Sequence, residues 1–217
     1  MHRCLTILEI ISIVCEELAT DRDEVVTGYS ALACLARTCC SMYEPSMKSL
    51  WYGLFDIVPL LNCFPEDVWE VQGDAYVRLF SEHRHLGQAH LCVPWQQLRR
   101  PLLLSDWTRF LHHADHVRSF GTSDDNHHAN IYDRTCENPG PVSSSAYHAL
   151  EQSKPREQFF PNLRRLHWRS TRDPLRYLRS FVGPKMTEIS LAFAHPPNMA
   201  ERSLLTSLSS MPLITSF

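Results

Sequence analysis

One short phrase recurs in the last third of the chain and limits what it can fold into. Pro161-Asn162-Leu163-Arg164-Arg165-Leu166-His167-Trp168 has the form P-x-φ-x-x-φ-x-φ, where φ is apolar, and Pro184-Lys185-Met186-Thr187-Glu188-Ile189-Ser190-Leu191 repeats it. Val117-x-x-Phe120 and Ile214-x-x-Phe217 are shortened copies. Leu163 and Met186 are 23 positions apart, Met186 and Ile214 are 28 apart, and Val117 and Leu163 are 46 apart, about two periods. Helical stretches are expected between copies, over 174–182 and 199–210. A strand-plus-helix unit of ~20–29 residues is the leucine-rich-repeat range. Such a unit buries little by itself, so neighbours must stack side by side. The chain stops at Ser216-Phe217, inside an expected strand, so the stack is expected to be truncated there.

The bulk numbers fit a binding protein better than a nucleic-acid or membrane protein. With 217 residues there is room for one or two domains and a real core. The net charge of -3 provides no basic field for nucleic acid or acidic lipid. No apolar run approaches the ~20 residues of a membrane span. Arg3 followed by an apolar run resembles a signal peptide only faintly, because Glu9 interrupts it and no small-x-small cleavage site follows. Eight cysteines occur at 4, 15, 34, 39, 40, 63, 92 and 136 without a CxxC pair. They read as small buried thiols of a reducing compartment, so a cytoplasmic or nuclear location is expected.

At the other end, residues 5–51 carry more apolar helix surface than so short a stretch can hide. Ile7, Ile10, Ile11, Val14 and Leu18 follow the i, i+3, i+4, i+7, i+11 rule over a helix from 5 to 18, and Leu5, Leu8 and Cys15 widen the stripe. A helix apolar around most of its circumference is normally covered on two sides. A second helix is expected over 27–40, with Leu32, Leu35 and Cys39 on one face. A third should begin near Pro45, which suits a first helical turn, with Met47, Leu50, Trp51 and Leu54 in helical spacing. Three short helices cannot cover the first from both sides. Either the rest of the chain covers it or a partner does.

Residues 5–51 resemble an F-box of the form common in mushroom-type fungi. The likeness rests on Ile7-Leu8-Glu9-Ile10-Ile11, on the run from Leu32 to Cys39, and on Leu50-Trp51 after Glu44-Pro45, with Leu8 where the family usually has Pro. Leucine-rich repeats often follow the F-box in these proteins. The resemblance implies a substrate-recruiting adaptor of a Skp–cullin–F-box ubiquitin ligase, with no catalysis of its own and no cofactor. It implies that Leu5, Ile7, Leu8, Ile10, Ile11, Val14, Leu32, Leu35, Cys39 and Trp51 dock a Skp-type adaptor protein, while the repeats hold an unknown target protein. The expected architecture is mixed α and β: a three-helix unit over 1–53, a helical or irregular linker over 54–104, and a repeat platform over 105–217. The alternative is a repeat scaffold whose N-terminal helices merely cap the stack.

The middle of the chain is read more coarsely. Residues 54–61 look helical, 66–69 a helical turn, 76–80 a strand and 96–100 a turn. Ser105 should cap a helix over 106–114 that buries Trp107, Phe110, Leu111 and Ala114, and 116–120 should be a strand. A long polar loop over 121–141 precedes a helix over 142–152. His112 and His116, four apart beside His113 and Asp115, are the densest set of metal-ligand types, but no third ligand completes them and no metal is expected. There is no G-x-S-x-G, P-loop or G-x-G-x-x-G. Arg164, Arg165, Arg169, Arg172, Arg176 and Arg179 form a basic run, either a solvated face or a dock for an acidic segment.

Overall fold

The computed structural model describes residues 7–20, 25–71, 96–121, 144–169 and 175–193, with residues 198–199, 202–203 and 205–206. It is a mixed α/β chain whose described residues hold six α-helices and a four-stranded parallel sheet. The helices are α1 Leu8–Thr20, α2 Val25–Leu35, α3 Cys40–Leu50, α4 Val58–Leu61, α5 Trp107–Ala114 and α6 Ser144–Ser153. The strands are β1 Gly53–Leu54, β2 Trp69–Val71, β3 Gln96–Leu98, β4 Ser119–Phe120, β5 Arg165–Arg169 and β6 Glu188–Ala192. β2 and β3 form a separate antiparallel pair. The expected strand over 76–80, the loop over 121–141 apart from Gly121, and the copy at Ile214 lie outside the described residues.

The main sheet runs β1-β4-β5-β6, so its strands stand beside one another in chain order. Gly53 lies opposite Ser119, Ser119 opposite Arg165, and Arg165 opposite Glu188. The last step is the 23 residues of the sequence period, and the step from β4 to β5 is the doubled 46. In this register Leu54, Phe120, Leu166 and Ile189 form one cross-strand row, and all four are buried. Three residues before each stand Trp51, Val117, Leu163 and Met186, the last three buried and Trp51 packed against the same core. The φ-x-x-φ spacing thus follows from which residues face inward. It also exposes a copy that the sequence reading missed, Trp51-x-x-Leu54.

Each strand is set by the same local device. The amides of Val117, Leu163 and Met186 close turns onto the carbonyls of Ala114, Phe160 and Gly183, at 3.3, 3.2 and 3.2 Å. One carbonyl then accepts two N–H groups from the next unit. Tyr52 O takes Arg118 N and Ser119 N, Arg118 O takes Arg164 N and Arg165 N, and Arg164 O takes Thr187 N and Glu188 N, all within 2.8–3.0 Å. Side chains extend the ladder at the turns. Asn162 donates to the Asp115 carbonyl, and Lys185 donates to the Asn162 amide oxygen.

Beneath the sheet lies an aromatic layer covered by α5, α6 and the 3-10 turn Leu175–Ser180. Phe181 is its hub, with ring centroids 5.0 Å from Phe120, 5.3 Å from Phe159, 5.4 Å from Phe160 and 4.9 Å from Trp168. Most of these pairs are tilted or edge-on, the arrangement that ring quadrupoles favour. α6 is tied to the turn by a part-buried polar knot in which Lys154 donates to Ser180 and Glu151, while Ser180 donates to Glu151. Residues 54–71 belong to this core too, through Leu54, Ile57, Leu60, Leu61, Phe64 and Val68. They are therefore more than the linker expected over 54–104.

Several local expectations change for identifiable reasons. Leu54 continues the helical spacing of α3, but Trp51 already occupies the helix C-cap and Leu54 pairs in β1. Residues 96–98, expected as a turn, form β3, and Trp69, placed in a helical turn, begins β2. α2 ends at Leu35, whose carbonyl Thr38 caps with its hydroxyl; α3 then begins at Cys40, leaving Pro45 inside the helix. Ser105 does not cap α5. Asp106 is buried there, accepting the Leu103 amide and both outer nitrogens of Arg100, which hold its carboxyl below the usual range. Residues 175–180 form a 3-10 turn rather than an α-helix. Cys15 and Cys63 are buried thiols, but Cys34 and Cys40 are exposed, and every described cysteine is free.

Two substitutions test this frame. Gly121 sits at φ 83°, where an added Cβ would come 1.8 Å from the His167 carbonyl oxygen, while a Cβ on Gly53 meets nothing within 4 Å. Gly121→Ala should lower unfolding stability by about 2 kcal/mol or more in urea titrations, and Gly53→Ala should not. His113 is the second site. It is buried and stacked on Trp51 at 4.3 Å, and burial pushes its pKa down to about 4, with His112, Arg109 and His116 adding like charge. In the unfolded chain it titrates near its ordinary value of about 6.5, so the unfolded state takes up the proton first. Its contribution is present above pH 6.5 and is lost as pH falls from about 6.5 to about 4, by up to about 3 kcal/mol. His116 and His167, lowered chiefly by burial, add in the same direction. Denaturation at pH 7.5 and pH 5 should show a clear loss in the native chain and a smaller one in His113→Phe.

Candidate docking face

The three N-terminal helices pack on one another around a small core of their own. Its buried residues are Ile11, Cys15, Leu32 and Met42, with Leu18, Ala19, Tyr29, Cys39 and Leu50 partly buried around it. Cys15 lies 3.6 Å from the buried Ser46 hydroxyl. Gly28 lets α2 approach α1 closely, since a Cβ there would fall 2.1 Å from the Leu18 carbonyl oxygen. This core is separate from the aromatic one. The seam between them runs along α3 and α5, where Trp51 stacks on His113, Tyr43 reaches His112 at 3.4 Å, and Glu44 stands 4.0 Å from His116.

Among the described residues α1 packs against α2 and α3, and its other side carries exposed apolar side chains. Ile7 is 45% exposed, Leu8 58%, Ile10 37%, Ile13 59% and Val14 46%. These are five of the ten large apolar residues exposed in the described chain, crowded into eight consecutive positions. Ile7, Ile10 and Val14 fall at i, i+3 and i+7, so they form one stripe beside the Ile11–Cys15 stripe that faces the core. Scattered exposed apolar residues need no explanation, but a contiguous strip points to an interaction site. Glu9, Glu16 and Glu17 are exposed on the same helix and give it an acidic rim.

The residues expected to dock a partner therefore separate into three groups. Ile7, Leu8, Ile10 and Val14 are exposed; Ile11 and Leu32 are core; Leu35 and Cys39 are half-buried. Leu5 lies outside the described residues. Trp51 is half-buried and packs on the platform side, against His113. Ile13 was missed by the sequence reading, although its spacing of three from Ile10 marks it, and Tyr43 is a further exposed ring. Cys39 precedes α3, and the Ser41 hydroxyl beside it, with the Met42 amide, lowers its thiol pKa.

His112, His113 and His116 do meet, but as rings packed edge to face, with centroids 5.0 and 5.6 Å apart. Among the described residues no three His, Cys, Asp or Glu side chains gather as metal ligands do. None of the described helices is long and apolar enough to cross a membrane. Comparison of the chain with protein-family models, with curated proteins and with solved structures finds no match.

Proposed function

We propose that the chain is a substrate-recruiting adaptor of a Skp–cullin–F-box ubiquitin ligase. In this reading α1 docks a Skp-type adaptor protein, and the units of the parallel sheet are divergent leucine-rich repeats that present a target. The observation that carries it is the exposed strip of Ile7, Leu8, Ile10, Ile13 and Val14 on a helix whose opposite face is already buried. A helix that merely capped the stack would have that strip covered by the platform, and it is open. Each aliphatic side chain fully buried on docking contributes about 1.5–3 kcal/mol before the cost of association. Parallel units in chain order, with a 23-residue step between β5 and β6, support the repeat reading. The mechanism is proximity: holding a target near a transferring enzyme raises its effective concentration.

A binding assay with a purified Skp-type adaptor tests this. The native chain should bind, and Ile10→Asp should weaken binding at least about tenfold while circular dichroism stays unchanged, because Ile10 is outside the helical core. Ile11→Ala should instead lower the stability of the helical unit by about 2–4 kcal/mol. If the folded native chain does not bind the adaptor, the reading fails. If Ile10→Asp binds as well as the native chain, α1 is not the docking face.

A further inference from the structure

Among the described residues the aromatic layer covers one side of the sheet, and the other side is only partly buried. Leu54, Phe120, Leu166, Trp168 and Ile189 point into the aromatic layer, and the alternating residues face outward. Parallel sheets are usually covered on both faces. Here the outward face holds Arg165 and Ser190, both exposed, with His167 and Glu188 half-buried among small neighbours such as Ser119 and Ala192.

The cations gathered at the start of these strands are the unusual feature. Arg118 and Arg164 hold equivalent places, one residue ahead of Ser119 and Arg165, which face each other in the register. They stand close enough that Arg164, after burial, is the largest cause lowering the Arg118 guanidinium pKa. Arg165 follows directly, and it bears on His167 in the same sense. Arg118 spends one nitrogen on the carbonyls of Asp115 and Val117. Among the described residues neither Arg164 nor Arg165 makes an ion pair. Glu188 stands opposite Arg165, and Asp115, whose carboxylate pairs with Arg156, also acts on Arg118. A chain of net charge -3 has thus collected three arginines on adjacent strands, and among the described residues none of the three makes a direct ion pair.

The fold also divides the arginine run of the sequence. Arg176 and Arg179 belong to the 3-10 turn on the far side of the aromatic layer, with Arg176 lying over the Tyr177 ring. Arg118, 46 residues before Arg164, joins the cluster in their place.

We infer that the open sheet face, with Arg118, Arg164 and Arg165 at its edge, binds an extended Asp/Glu-rich segment of the target protein. This rests on the recruiting role proposed above and names its partner's chemistry. The cations are spread over neighbouring strands about 4.8 Å apart, which suits a run of carboxylates crossing them better than one small anion. Arginine forks pair with carboxylates through parallel hydrogen bonds. An anionic partner would also relieve the repulsion between Arg118 and Arg164.

The test is fluorescence anisotropy with a labelled oligoglutamate peptide and the full chain, alongside the adaptor-binding assay on the same preparations. The native chain should bind saturably and more weakly as salt rises. The pair R164E/R165E should lower affinity about tenfold or more, while R176E/R179E should leave it unchanged. Failure of the native chain to bind, equal binding of an oligoglutamine peptide, equal loss in R176E/R179E, or displacement by inorganic phosphate at the same concentration would each overturn the inference. Loss of oligoglutamate binding with adaptor binding intact would sink this inference alone. The reverse result would sink the adaptor reading and leave the acidic dock standing.

Discussion

The side-by-side stacking of Leu54, Phe120, Leu166 and Ile189 is the interaction on which the rest of the structure depends. Two of the strands that carry it pair through only two residues each. Backbone bonding alone would not hold such strands, since the net value of one hydrogen bond is about 1 kcal/mol. The aromatic layer beneath supplies what they lack. Phe181 touches side chains presented by two strands and by the segment before β5, so the units share one core. The doubled acceptance by Tyr52, Arg118 and Arg164 then fixes the register unit by unit. Register fixes which side chains face inward, and so also which face outward.

That same constraint decides how the N-terminal helices are attached. Trp51 ends α3 and also takes the place that Val117, Leu163 and Met186 fill in later units. The helical unit is therefore continuous with the first unit of the sheet, and His113 on α5 clasps the joint by stacking on that indole. Holding α3 against α5 leaves α1 on the outside of its own bundle. Among the described residues its core cluster holds four buried apolar side chains, so the bundle is small for an independent domain, and its continuity with the platform offsets this.

Much of this was legible in the sequence where one period acted alone. The units at Val117, Leu163 and Met186 were visible because φ-x-x-φ recurred at a fixed step, and α1 because its apolar residues kept helical spacing over three turns. Legibility failed where two periods overlapped. Met47, Leu50, Trp51 and Leu54 satisfy a helix and, from Trp51 onward, also a strand unit; only the pairing with Ser119 and Phe120 decides between them. It failed again at residues 175–180, where an apolar pattern too short for an α-helix settles into a 3-10 turn that points Tyr177 and Leu178 inward.

The division between core and surface was legible on α5, where Trp107, Phe110 and Ala114 are buried as their spacing predicts, but not within α1. Ile10 and Ile11 are adjacent, chemically identical and equally part of an apolar helix, yet one is 37% exposed and the other 3%. The difference is made by where α2 and α3 lie, and those positions depend on Gly28 admitting a close approach and on Trp51 anchoring α3. Arg164 and Arg176 pose the same problem on the platform. Both belong to one arginine run in the sequence, and the aromatic layer that passes between them assigns them to opposite sides. In this chain the proposed docking residues are of ordinary type, and what distinguishes them is the side of a packed layer on which the register leaves them.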